Sequence, residues 1–415
     1  MSNKSFPIKL RLDESAAFFG AGAISPRQLE GLYPTLDDVR QRLLDGSRNP
    51  AADPSPPLAG LTSPAWLRLP ELQRLDYEQR REQSDLGRIL TQAEAWRDQV
   101  DLVVVVGREG LLAPIRTLIG ACCHPWHNEI SRAERGSRPR MYLAGTNCDN
   151  DWLQGLLDLL PNRHASHLPS DGWGLVILGQ QSGSAEQLAT AEILLRETGL
   201  PPAWVMEPDS GWEELRRRTV AGERLELPPN IGAAYTVFAN SGLLAAAILG
   251  LDVMRLLHGA LAMNAHFETA PPQDNLVLRL AALQELAAHS AVDEAHPEPD
   301  AVLPRGGLRA WSTALAPLVG WQQQLGRGGE CGALTIDLVV ERWRCDPLPL
   351  GPDSGAATLP ELVHSLRQRH SVAQLSDRRG PSAEVCLPQL NEQSLGELLQ
   401  LLMLTSAVRR ALTTE

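Results

Sequence analysis

The residues that could do chemistry sit in short, glycine-punctuated segments. Residues 180–188 (QQSGSAEQL) follow the apolar run GLVIL and open a helical pattern. Ser182, Gly183 and Ser184 therefore stand where backbone N–H groups, hydroxyls and the positive end of a helix can cradle a phosphate. The same residues also make an ordinary helix cap, and the residues by themselves leave both readings open. Residues 326–332 (GRGGECG) place one carboxylate, Glu330, in a glycine-rich loop between the run WQQQL and a strand. That is a setting for a general base and equally for a solvated surface glutamate. A third loop, Gly107, Arg108, Glu109 and Gly110, follows a valine-rich run. The bulk of Arg108 and Glu109 would keep the backbone away from a dinucleotide, so no nicotinamide cofactor is expected. Residues 230–244 (NIGAAYTVFANSGLL) carry Tyr235 and Thr236 in a turn before an apolar helix; with no evident acid, base or nucleophile they read as packing. Cys122, Cys123, His124 and His127 are too close along the chain to converge readily on one ion, so they read as a helix end before Pro125 and no metal is expected.

Such loops need a scaffold, and the hydrophobic pattern supplies one. Residues 101–107 (DLVVVVG) form a continuous β-branched run, the pattern of a strand buried on both faces of a parallel sheet. A helix is expected at 111–121. The alternation repeats: strand 139–143, helix 152–160, strand 174–178, helix 185–198, strand 202–206. It implies a right-handed, doubly wound α/β domain, in which ligands sit beyond the carboxyl ends of the strands. Pro228 and Pro229 mark a boundary. Beyond them, apolar helices are expected at 242–249, 253–267 and 276–288, strands at 301–303 and 334–340, a surface loop at 351–357, and a closing helix at 394–412. The fold class read from this is α/β, with two doubly wound domains having mainly parallel central sheets, plus an N-terminal helical extension. The extension spans 1–94, with a loop at 49–57 and a helix or helix pair at 67–100; the domains span 95–227 and 228–415.

The composition narrows the function classes. The 415 residues are 43% hydrophobic and carry a formal net charge of −12, which argues against a nucleic-acid duplex or an anionic membrane as partner. No apolar run approaches the roughly 20 residues that cross a bilayer, and residues 1–10 lack the apolar stretch of a signal peptide. The six cysteines show no C-x-x-C spacing, which suits a reducing compartment, and a cytoplasmic protein is expected.

Four segments, spread over about residues 100 to 410, resemble the phosphoglucose isomerase family, whose fold is two sugar-isomerase (SIS) domains. GALAMNAHFETAPPQDNL at 259–276 is similar to the family signature G-A-x-A-M-D-x-H-F-x-x-A-P-x-x-x-N-L nearly residue for residue. SGSAEQL resembles the S-G-N-T-E-E-T phosphate loop, WQQQLGRGGE the W-x-Q-Q-L-x-x-E-S segment, and LPQLNEQSLGELLQLL the helix preceding the C-terminus. The resemblance implies interconversion of an aldose and a ketose phosphate, glucose 6-phosphate and fructose 6-phosphate, by ring opening and proton transfer between C1 and C2 through an enediolate. It implies a phosphate cradle of Ser182, Gly183 and Ser184, a base in Glu330, and a catalytic histidine in His364, whose run ELVHSLRQ resembles D-L-H-S-x-x-Q. It implies a homodimer and no cofactor.

The departures from the family pattern are specific. G-G-R-[YF]-S becomes Gly232, Ala233, Ala234, Tyr235 and Thr236, so Ala234 stands where the family has the arginine facing the enediolate. G-I-G-G-S becomes Gly107, Arg108, Glu109, Gly110 and Leu111, and the Asn-Thr pair of the phosphate loop becomes Ser184 and Ala185. Glu415 precedes the place of the V-E-x-G-K motif that supplies a lysine. The expectation is a divergent isomerase of low turnover, with a non-catalytic sugar-phosphate-binding or assembly protein on the same fold as the alternative.

Overall fold

The computed structural model describes residues 8–18, 23–48, 64–160, 172–181, 183–198, 200–292, 306–325, 334–352, 355–376 and 381–412. The chain divides into two compact units, Ala65–Leu257 on one hand and Met1–Pro64 with His258–Glu415 on the other.

In the unit Ala65–Leu257, α2 (Leu69–Arg80) and α3 (Asp85–Gln99) precede the alternation β2 (Val100–Val106), α4 (Glu109–Cys122), β3 (Arg140–Ala144), α5 (Asn150–Leu159), β4 (Gly172–Gly179), α6 (Ala185–Glu197), β5 (Ala203–Met206), α7 (Trp212–Arg217) and β6 (Arg224–Glu226), followed by α8 (Asn240–Ile248). The sheet order is β3-β2-β4-β5-β6, with every pair parallel. β2 and β4 are buried along almost their whole length, as a parallel sheet covered on both faces requires. In this order the connections leave in opposite directions at the β2/β4 junction, the switch point where ligands bind in open α/β sheets.

The sequence reading set boundaries at 95 and 228, whereas residues 65–94 and 228–257 lie in this same unit. Asn240 shows why. It is 2% exposed, and its Nδ2 donates to Asp85 Oδ2 at 2.7 Å and to Glu226 O at 2.8 Å, while Gln73 donates to its Oδ1 at 2.8 Å. One buried amide thus joins α2, α3, the end of β6 and α8, with its hydrogen-bonding capacity satisfied.

The other unit holds β1 (Arg11–Asp13), α1 (Pro26–Arg48), most of α9 (Val253–Thr269), α10 (Leu276–Val292), β7 (Gly307–Ala310), α11 (Pro317–Leu325), β8 (Thr335–Arg342), α12 (Leu359–Ser376), β9 (Ser382–Gln389) and α13 (Glu392–Leu412). Its sheet runs β1-β9-β8-β7, parallel except for β1, which pairs antiparallel with β9. Residues 11–13 therefore form an edge strand of this sheet. The strand read at 301–303 lies outside the described residues. Ile336, Leu338, Ala383, Val385 and Leu387 are buried on one face of the sheet. The alternate residues bring Arg309, Asp337, Glu384 and Asp13 into register as a charged row on the other.

The 259–276 signature is a helix–turn–helix staple here. Asn275 is fully buried; its Nδ2 donates to Phe267 O at 3.0 Å and His266 O at 3.2 Å, and its Oδ1 accepts from Val277 and Leu278 N–H at 3.2 and 3.3 Å. One side chain so closes α9 and caps α10. His266 Nε2 accepts the Leu276 N–H at 3.0 Å, and burial lowers its pKa.

α13 is buried on nearly every side and carries a carboxylate, Glu397, at 0% exposure. Its Oε2 accepts the N–H groups of Lys9 and Leu10 at 2.8 and 3.1 Å, tethering the segment that leads into β1. Burial pushes this carboxyl above its usual range, and the two N–H donors pull the other way. The folded state thus binds the proton more tightly than the unfolded chain does, so the contribution is full below the ordinary carboxylate pKa and is lost as pH rises through the raised value. Glu397→Gln keeps an acceptor for both N–H groups without the buried charge. Urea unfolding from pH 4 upward is expected to show wild type losing stability relative to Glu397→Gln as pH rises, whereas Glu397→Ala, which strands two N–H donors, stays about 1–3 kcal/mol below Glu397→Gln at every pH.

Candidate functional site

Three segments converge at the carboxyl edge of the five-stranded sheet. The loop after β2 is held by the Gly107 N–H donating to Ala144 O at 3.1 Å. The turn after β4 is tied to the segment before α8 by Gln180, 5% exposed, whose Nε2 donates to Ile231 O at 2.7 Å. The start of α4 abuts that segment so closely that a Cβ on Gly110 would lie 2.7 Å from the Ala233 Cβ.

The phosphate-type turn has unusual backbone. Gln181 and Gly183 have φ of 55° and 73°, and a side chain at 183 would stand 2.8 Å from the buried Trp212 ring. Both the conformation and the space require glycine there. Ser184 caps α6 in a reciprocal box: its N–H donates to Gln187 Oε1 at 3.0 Å, and its Oγ accepts the Gln187 N–H at 3.5 Å. The turn already faces carboxylates. Gln181 N–H donates to Glu207 Oε2 at 2.8 Å. The Ser184 side chain, with a backbone N–H, holds Glu186 below its usual pKa. Helix N-terminus and positive-φ turn make an anion site, and Glu207 and Glu186 are the anions these donors meet.

Ser182 and Glu330 lie outside the described residues. Arg108 is exposed, just ahead of α4, and Glu109 pairs with Arg116 at 2.5 Å. Ala234, Tyr235 and Thr236 are 3%, 3% and 1% exposed. The Thr236 hydroxyl donates to Ala233 O at 2.7 Å and the Tyr235 ring packs 4.8 Å from that of Trp66, so both side chains serve packing. His364 is exposed on α12, in the other unit. Among the described residues no group of three His, Cys, Asp or Glu side chains could hold a metal ion, and no helix is long and apolar enough to cross a membrane. Glu207 and Trp212 escaped the sequence reading. Glu207 directly follows the strand 202–206, and the rule that ligands gather at carboxyl strand ends could have flagged it.

No family profile matches the chain. A glucose-6-phosphate isomerase of Symbiobacterium thermophilum is 31% identical over 243 residues, covering 54% of this chain and 48% of that protein. One of Heliobacterium modesticaldum is 26% identical over 245 residues, covering 55% and 49%. Over about half of its length this chain is thus similar in sequence to glucose-6-phosphate isomerases. Its match spans about half the length of the curated relatives. The likeness in fold to solved structures covers more of the chain than the likeness in sequence. A hypothetical protein of Thermus thermophilus superposes with a TM-score of 0.71 at 20% identity, covering 97% of this chain and 94% of that one. A glucose-6-phosphate isomerase from Chlamydia trachomatis gives 0.69 at 15% identity, covering 97% and 83%.

A phosphate at this turn would compete with Glu207 for the turn's donors. Two unit charges 4 Å apart in water repel by about 1 kcal/mol, roughly a fivefold effect on affinity. Glu207→Gln, which keeps the acceptor, is expected to tighten inorganic phosphate binding about fivefold by calorimetry; unchanged or weaker binding would show that the carboxylate does not compete.

Proposed function

We propose that this protein binds a hexose phosphate at the carboxyl edge of its five-stranded sheet and interconverts glucose 6-phosphate and fructose 6-phosphate far more slowly than an ordinary isomerase. The reading rests on one observation. Ala234, which by resemblance stands where the family has its arginine, is 3% exposed, and its neighbour Ala233 lies against Gly110 in the first turn of α4.

Proton transfer between C1 and C2 needs a carboxylate base, a donor to move protons in ring opening, and positive charge where the enediolate oxygen develops. By the family pattern Glu330 is the base and His364 the ring-opening residue. Ser184 and the N–H groups at the α6 terminus bind the phosphate. An alanine offers the developing charge nothing, and loss of one preorganised donor costs on the order of a hundred- to a thousandfold in rate. The partner is thus a small sugar phosphate, and binding outlasts efficient chemistry.

A second reading, sugar-phosphate binding without catalysis, is favoured by the same alanine together with the carboxylates at the phosphate turn. A coupled assay of fructose 6-phosphate conversion separates the two. The expected result is a kcat at least about 100-fold below that of an ordinary isomerase, abolished in Glu330→Gln. Full turnover would contradict both readings, and turnover equal in the two proteins would leave binding alone.

A further inference from the structure

His364, Arg367 and Gln368 stand at i, i+3 and i+4 on α12 and so share one helix face. Arg367 Nη2 lies 3.4 Å from His364 Nδ1, and Gln368 Nε2 lies 2.9 Å from His364 Nε2, so an N–H donor stands at each ring nitrogen. From its other edge, Arg367 Nε reaches Glu384 Oε1 on β9 at 3.5 Å.

A guanidinium carries five donors and no acceptor, and it stays charged at any accessible pH. The ring nitrogen it faces must present a lone pair. The proton of the neutral imidazole then sits on Nε2, which requires the Gln368 amide turned over from this orientation so that its oxygen rather than Nε2 faces the ring; the guanidinium cannot turn to accept, whereas an amide can.

The charged row of the sheet explains why Arg367 stays in place. Asp337, 4% exposed, is already satisfied by Arg309 at 2.5 and 2.7 Å and by Trp311 Nε1 at 2.7 Å. Arg309 is thereby committed to Asp337. Glu384, in register between Asp337 and Asp13, is left to Arg367. Burial raises the Glu384 pKa, Asp337 and Asp13 add to that, and Arg367 and Arg309 oppose it.

We propose that Arg367, anchored by Glu384, is a positioning residue that fixes the His364 ring in its Nε2–H tautomer. Its functional meaning rests on the reading of His364 as the ring-opening residue; the tautomer does not. Nε2–H is then the donor the ring presents, and a ligand oxygen would take the place of Gln368.

The test is the 15N spectrum of histidine-labelled full-length protein above pH 8, with His364 assigned by its loss in His364→Gln. Wild type is expected to show one tautomer, Nε2 protonated and Nδ1 bare. Arg367→Ala and Glu384→Gln are expected to move both nitrogen shifts toward the averaged values of a free imidazole, and Arg367→Lys to restore them in part. A bare Nε2 in wild type, or identical shifts in wild type and Arg367→Ala, would overturn the proposal. Adding fructose 6-phosphate tests the functional reading separately. Unmoved His364 signals would count against the site while the positioning stands.

Discussion

The carboxyl edge of the five-stranded sheet is governed by how closely three pieces of backbone approach one another. Strand order opens the edge between β2 and β4, and chain segments enter the opening wherever a side chain is missing. Gly110 lets Ala233 settle on the start of α4, and Gly183 lets the phosphate-type turn lie against Trp212. Gln180 then ties that turn to Ile231. Protein interiors fill such spaces at crystal-like density, so what stands at 234 is set by packing as well as by chemistry. A buried alanine suits that environment; an arginine would need an opening for its guanidinium and an anion to face.

The electrostatics of the edge follow from the same geometry. The turn and the α6 terminus present donors, and the nearest acids, Glu207 and Glu186, meet them. Anion recognition and self-satisfaction use the same N–H groups. A phosphate would gain binding there only through the difference between its interactions and those of the carboxylates it displaced. Catalysis demands more, namely charge stabilisation that grows on the way to the transition state.

How far the sequence could be read depended on element length and on locality. β2, β4 and β8 have seven or eight residues with long apolar runs and were legible. β1, β6 and β7 have three or four residues and owe their pairing to the sheet beside them. α1 carries Pro34 within it, so its 23 residues do not read as one helix. Residues 65–94 looked like an extension because the contact that places them, Asp85 with Asn240, spans 155 positions. The 259–276 signature was the most specific motif, yet its local work is the staple made by Asn275, which no pattern of residue types discloses. In the site, the SGS turn and the alanine at 234 were visible. The acids that answer the turn were not, because glutamates after a strand are common and only the fold brings Glu207 to Gln181.

If ground-state recognition persists where transition-state stabilisation has been lost, comparative calorimetry will show it. Fructose 6-phosphate would be titrated beside an aldonate phosphate whose carboxylate stands where the enediolate charge develops. Transition-state analogues bind efficient enzymes on the order of a hundredfold or more tighter than substrate. Here the two ligands are expected to bind within about tenfold of each other, both weakly. An aldonate phosphate bound about a hundredfold tighter would refute the loss of stabilisation, by revealing a positive charge that answers the enediolate from some residue other than Ala234.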